Sequence, residues 1–178
     1  MKTRNCLIAA ALAACCAATP LAAADLPPLA HTLTLQAPRP APALRLMDLE
    51  GRPHDLAALR GKVVLINFWA TWCPPCRREM PSMERLARRF RGQPFVVLAV
   101  DIGENPDTIE AFTSQLDTAP TFPILLDTRS HVMRAWKVAG LPTTFLVDKQ
   151  GRIVASAIGG REFDHPEIAK TVAALVRQ

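Results

Sequence analysis

The chain has 178 residues, 49% of them hydrophobic and 21% charged, a composition that fits one globular domain with a tail and excludes a disordered chain. Its 21 basic and 16 acidic side chains give a net charge of +5 without any block of Lys and Arg, so no nucleic-acid partner is expected. Five cysteines is an odd number, and where they lie carries much of the information.

Residues Met1 to Asn5 are short and basic, Cys6 to Ala18 are apolar, and Thr19 to Ala24 end in small residues. That three-part pattern predicts residues 1–24 as an export signal cleaved after Ala24. An uncleaved anchor is one alternative, although the stretch is mostly alanine and Pro20 interrupts it. Lipidation at Cys15 is another, since Leu12-Ala13-Ala14-Cys15 is similar to a bacterial lipoprotein box. Cleavage removes Cys6, Cys15 and Cys16 and takes Lys2 and Arg4 from the 21 basic groups, leaving 19 against 16, a net +3. Only Cys73 and Cys76 then remain, in a compartment where disulfides persist, which makes a periplasmic location the expectation.

Residues 25–42 carry Pro27, Pro28, Pro38, Pro40 and Pro42 without sustained periodicity and read as an extended segment along the surface. The folded domain is expected over 43–178. Leu44, Leu46 and Leu49, then Glu50-Gly51-Arg52, then Leu56 and Leu59, predict a small hairpin ahead of the core. The apolar runs Val63 to Trp69 and Phe95 to Val100 read as central strands covered on both faces. Between them, Met80, Met83, Leu86, Ala87 and Phe90 mark a helix from Pro74 to Phe90, with Pro81 expected to kink it. A helix should start at Asn105-Pro106-Asp107, a strand cover Ile124 to Leu126, and a short helix run from Val132 to Trp136. Thr143 to Val147 and Arg152 to Ala155 flank the turn signal Asp148-Lys149-Gln150-Gly151, and a last helix follows Pro166. The pattern is an α/β fold with a mixed central sheet flanked by helices and an N-terminal hairpin extension.

Trp72-Cys73-Pro74-Pro75-Cys76 follows a buried strand and opens a helix. Free N–H groups and the dipole at a helix N-terminus stabilise a thiolate, so Cys73 is expected to be the more exposed nucleophile and Cys76 the resolving thiol. A pair three positions apart closes almost no loop and is a poor structural staple. Structural zinc needs four ligands, and His31, His54, His131 and His165 are scattered; c-type haem attachment fails because position 77 is Arg. Neither a metal nor another cofactor is therefore expected. The six arginines at 77, 78, 85, 88, 89 and 91 read as a solvated helix face, with steering of an acidic partner as the alternative.

Asn67 to Arg77, Glu79-Met80-Pro81, Gly140 to Phe145 and Asp148 to Ile153 together resemble the TlpA/ResA/CcmG group of thioredoxin-like proteins, exported bacterial thiol–disulfide oxidoreductases. The resemblance runs from about Ala43 to the C-terminus and implies a thioredoxin-like fold. It implies Cys73 as attacking and Cys76 as resolving thiol, together forming a redox-active disulfide. Pro142 matches a cis-proline facing the dithiol, and Leu141 can offer its backbone to an extended client, with Trp72 covering the surface beside Cys73. Asn67 stands where thioredoxin has a buried Asp, and the ResA branch points to Glu104 as the replacement proton carrier; a surface Glu capping the next helix is the alternative. Expected partners are client proteins with cysteine pairs and a membrane thiol carrier that donates electrons, with the chain acting as a monomeric reductant, in cytochrome c or copper-site assembly. A copper carrier using both thiolates with His131, and a thiol oxidase, are the competing readings.

Overall fold

A computed structural model describes residues 26–178; the export-signal reading, with Cys6, Cys15 and Cys16, lies outside the described residues. Val63–Trp69 (β4) is buried along its whole length because β-branched and aromatic side chains on both faces have something to pack against. It pairs in parallel with Phe95–Ile102 (β5) and antiparallel with Thr143–Val147 (β7). Ile124–Asp127 (β6) extends the sheet beyond β5, and Arg152–Ile158 (β8) extends it beyond β7.

The proline-rich segment contributes more than a tether. Thr34–Pro40 (β1) pairs antiparallel with β8 as the sheet's outer strand, giving the order β1-β8-β7-β4-β5-β6. Pro38 and Pro40 are compatible with this position because an edge strand leaves one row of N–H sites unused, and the register shifts between Leu35 and Arg39. The expected hairpin is Arg45–Met47 (β2) against Pro53–Asp55 (β3), followed by a 3₁₀ turn at Leu56–Leu59.

Pro74–Arg89 (α1), Pro106–Thr113 (α2) and Pro166–Arg177 (α4) cover one face of the sheet through Met80, Met83, Leu86, Ile109, Phe112, Ile168 and Val172. The β2–β3 hairpin and His131–Ala135 (α3) cover the other, over Leu44, Leu46, Phe68, Trp136 and Phe145. All three long helices carry proline in the first turn, where the absent N–H has no intrahelical partner to lose. Helix α1 runs as one element through Pro81, which is exposed and cannot donate to the carbonyl one turn earlier. Asn105 caps α2 by accepting from the Thr108 amide.

Two hairpins use the same local chemistry, Asp-x-x-Gly-Arg at 48–52 and 148–152. In each, the Asp Oδ1 accepts from the Arg amide at 2.8 Å, Oδ2 meets the Arg side chain, and the glycine sits at positive φ, 74° at Gly51 and 70° at Gly151. Asp48 also meets His54 Nε2 at 2.8 Å. Burial pushes the Asp48 carboxyl up, but the bonds from His54 and from the amide and side chain of Arg52 outweigh it and hold it at about 2, below its ordinary 3.8. Because the folded pKa is depressed, this carboxylate contributes stability above about pH 4 that is lost as pH falls towards 2. Asp48→Asn is therefore expected to lower stability by about 1–3 kcal/mol at neutral pH. Denaturant unfolding across pH 2–5 should show a flatter acid limb in the variant than in the parent.

Candidate active site

The strand-to-helix passage leaves no slack. β4 ends at Trp69, Ala70 and Thr71 make the turn, Trp72 projects with 66% of its surface exposed, and Cys73 is the N-cap of α1. Pro74 and Pro75 fill the first turn, and Cys76 follows inside the helix. Cys73 and Cys76 are joined as a disulfide with their Cα atoms 5.3 Å apart. Cys73 retains 4% of its surface and Cys76 none, the order of access expected for an attacking and a resolving thiol. Below them, Trp69 is fully buried against Phe112, while Trp136 belongs to the opposite core cluster.

The Leu141–Pro142 bond is cis. Pro142 is buried, and its carbonyl accepts from the Gly159 amide at 2.9 Å. Among the described residues the amide and carbonyl of half-buried Leu141 have no hydrogen-bond partner. A backbone donor and acceptor left open at this place can be completed by an extended chain.

Two carboxyl systems adjoin the dithiol. Glu104 is half-buried and reaches back to the turn before Cys73, accepting from the Thr71 amide and hydroxyl, both at 2.6 Å. It does not cap α2, a role taken by Asn105. Its own amide donates to Asp101 Oδ1 at 3.3 Å. Burial first, and then the neighbouring Glu104 carboxyl, push Asp101 up to about 8. Asp101 lies beside Trp69 in the β4–β5 register, and its Oδ2 has no partner among the described residues.

Glu79 is the second system, and no reading of the residues singled it out as functional. It lies one helical turn beyond Cys76 and is fully buried. Asn67 Nδ2 donates to its Oε1 at 2.8 Å and to Thr144 Oγ1 at 3.0 Å, while the Arg161 amide donates to Oε2 at 2.9 Å. Burial pushes Glu79 up to about 8 against the pull of the Arg161 amide, the Asn67 side chain and the Arg161 charge. Asn67 Oδ1 has no partner among the described residues. Once Glu79 carries a proton it has an O–H to donate, and the same amide turned over presents its oxygen. A sequence signal for Glu79 existed, since the spacing of Cys76, Met80 and Met83 puts position 79 on the buried flank of the helix.

The remaining expectations concern charge and metal ligands. Most of the basic helix is used inside the molecule. Arg77 lies over the Phe112 ring at 5.0 Å, Arg78 donates to the Pro27 carbonyl, Arg85 binds Glu162 and Asp164, and Arg88 binds Glu84. His131 pairs with Asp127 at 3.0 Å, and the described residues bring together no group of three or more His, Cys, Asp or Glu side chains able to hold a metal.

Residues 38–156 match the AhpC/TSA family. The chain is 47% identical over 113 residues to the thiol-disulfide oxidoreductase ResA of Geobacillus thermodenitrificans, a match spanning 64% of this chain and 64% of that relative, just under two thirds of its length. It is 37% identical over 125 residues to ResA of Bacillus cereus, covering 70% of this chain and 71% of that one. A Chlorobium tepidum protein assigned as thiol:disulfide interchange protein DsbE superposes with a TM-score of 0.71 at 28% identity, covering 80% of this chain and 99% of its own. The matched region holds the buried strands, the Cys73–Cys76 disulfide and the cis-proline, and the chain belongs to the AhpC/TSA family of thioredoxin-like proteins, on the side of the ResA thiol-disulfide oxidoreductases.

Proposed function

We propose that this chain is a thiol–disulfide oxidoreductase that reduces disulfides in exported client proteins. The observation that carries this reading is the Cys73–Cys76 disulfide at the N-terminus of α1, its outer sulfur on the cap residue and its inner sulfur enclosed. The names of the relatives support it, as does the neighbour assigned as an interchange protein. In the reduced form the Cys73 thiolate attacks one sulfur of a client disulfide and expels the other as a thiolate, giving a mixed disulfide. Cys76 then attacks the Cys73 sulfur, reforms the internal disulfide and releases the second client thiol. Two electrons pass to the client, and a thiol carrier on the membrane restores them.

The client's chain is expected to lie against the open backbone groups of Leu141 beside Pro142, with Trp72 forming the exposed apolar wall. Cys76 has no solvent of its own to take its proton, so a nearby buried base is required. Glu79, one turn away and held near pH 8, fits that role; Glu104, clamped on Thr71, is proposed to act on the proton balance of the turn together with Asp101. An export signal at 1–24 ahead of a proline-rich segment would place this chemistry in the periplasm, and thiols awaiting haem attachment or copper insertion are the fitting clients.

Cys76→Ser expressed in an exporting host is expected to accumulate mixed disulfides through Cys73, visible on non-reducing gels and resolved by dithiothreitol. Cys73→Ser should accumulate none, and equal trapping by both variants would sink the assignment. Glu79→Gln is expected to slow exchange by about 10²-fold. It should also shrink the inflection near pH 8 in the rate profile, leaving what Asp101 contributes, because one of the two groups that lose a proton there is gone. Stopped-flow measurement of the Trp fluorescence change from pH 5 to pH 10 checks both.

A further inference from the structure

The segment before β1 runs alongside the dithiol. Ala30 pairs in parallel with Arg161: its amide donates to the Gly160 carbonyl at 3.0 Å, and its carbonyl accepts from the Glu162 amide at 2.9 Å. These two bonds grip the loop on either side of Arg161, whose own amide points the other way, onto Glu79 Oε2. The Arg161 side chain returns to the Thr32 carbonyl at 2.8 Å, and Arg78 from α1 reaches the Pro27 carbonyl at 2.9 Å. The His31 ring stacks on that of His165, with centroids 4.1 Å apart and planes within 5°.

Packing closes the same circuit. A Cβ on Gly160 would lie 2.6 Å from Leu29 Cδ2 and 3.3 Å from Pro75 Cβ, so the leucine, the glycine and the second proline of Cys-Pro-Pro-Cys are stacked without spare room. The residues that make these contacts are otherwise unremarkable, since Ala30, His31 and Thr32 are exposed. The segment buries little surface, and its hydrogen bonds converge on one loop.

We propose that Pro27–Thr32 is a positioning strap for the redox site: by gripping Gly160 and Glu162 it holds the Arg161 amide on the Glu79 carboxyl and Gly160 against Pro75. The inference rests on the reading of Glu79 as the group that exchanges a proton with the dithiol. An N–H held on a carboxylate favours the charged form, so a slack strap leaves Glu79 protonated to higher pH. From the elements around it, β4 and β7 present neutral Asn67 and Thr144, the loop presents the Arg161 guanidinium, and its own helix presents the dithiol. Asp101 and Glu104 belong to β5 and the turn after it, and their hydrogen bonds run to each other and to Thr71, not to Glu79.

Ala30→Pro removes the amide that binds Gly160 while keeping an extended backbone. The infrared carbonyl band of protonated Glu79, identified by its loss in Glu79→Gln and so separated from that of Asp101, is followed against pH in the full chain. In Ala30→Pro its midpoint should move up by about one pH unit, the worth of one hydrogen bond to a charged group. The inflection in the exchange rate should move with it, and the same substitution placed on Glu79→Gln should leave the rate profile unmoved. A folded Ala30→Pro with an unchanged midpoint, or a rate shift that persists in the Glu79→Gln background, overturns the proposal. Should Ala30→Pro fail to fold, the side-chain double variant Leu29→Ala/His31→Ala, which removes the Gly160 contact and the His165 stack, decides by the same two readouts. If Glu79→Gln leaves the rate profile as it was while Ala30→Pro still moves the infrared midpoint, the proton role of Glu79 falls and the hold of the strap on it stands.

Discussion

A fully buried carboxyl group lies one helical turn from the inner cysteine of the disulfide, and the surrounding elements are arranged to satisfy it. Glu79 comes from α1, Asn67 from β4 and the Arg161 amide from the loop after β8, while Thr144 of β7 holds the far side of the Asn67 amide. A bare charge at this depth would cost several kcal/mol, so the site instead keeps a proton available up to about pH 8. Four segments of the chain thus converge on one buried carboxyl, three directly and Thr144 through Asn67. The helix carrying the dithiol is fixed to the sheet by that same contact.

The dithiol gains its geometry from the rigidity on either side. β4 is enclosed by β5 and β7 and buried on both faces, so its C-terminal end cannot shift without disturbing two hydrophobic clusters. Pro74 and Pro75 restrict the first turn of α1, and Glu104 ties the Thr71 amide and hydroxyl from the β5 side. Cys73 therefore stands as a cap residue on a braced helix end, where the helix dipole favours a thiolate. Precision of this kind comes from strands and helices more than from loops.

Charge and turn chemistry organise the periphery. Four arginines of α1 make contacts within the molecule, to Phe112, to Pro27, to Glu162 and Asp164, and to Glu84, while remaining exposed. Asp48 and Asp148 nucleate two hairpins with one recipe, a carboxylate accepting from the following amides and the Arg four residues on. The prolines of the N-terminal segment are accommodated at the open edge of the sheet, where a missing N–H leaves no gap in the ladder.

Local pattern determined much of this protein. β4 and β5 are built on nearly unbroken apolar runs of strand length, β7 and β8 flank a turn signal, α2 opens on an Asn-Pro-Asp cap, and Trp-Cys-Pro-Pro-Cys at the end of a strand admits few chemistries besides thiol exchange. The pairing of β1 with β8 escaped such reading because five prolines mask a strand and pairing across more than a hundred residues leaves no local trace. Glu79 flanks the buried stripe of α1, but its charge and its neighbours Arg77 and Arg78 hid that, and its partners Asn67, 12 residues away, and Arg161, 82 away, leave no local trace. Glu104 was legible as a carboxylate near the second central strand, but its grip on Thr71 was not. The sequence by itself singled out Cys73 and Cys76 as the pair proposed to exchange electrons, since that follows from residue type and position on a helix. Tertiary structure alone decided where the protons are held, because a pKa depends on burial and on partners that the chain brings together only when it folds.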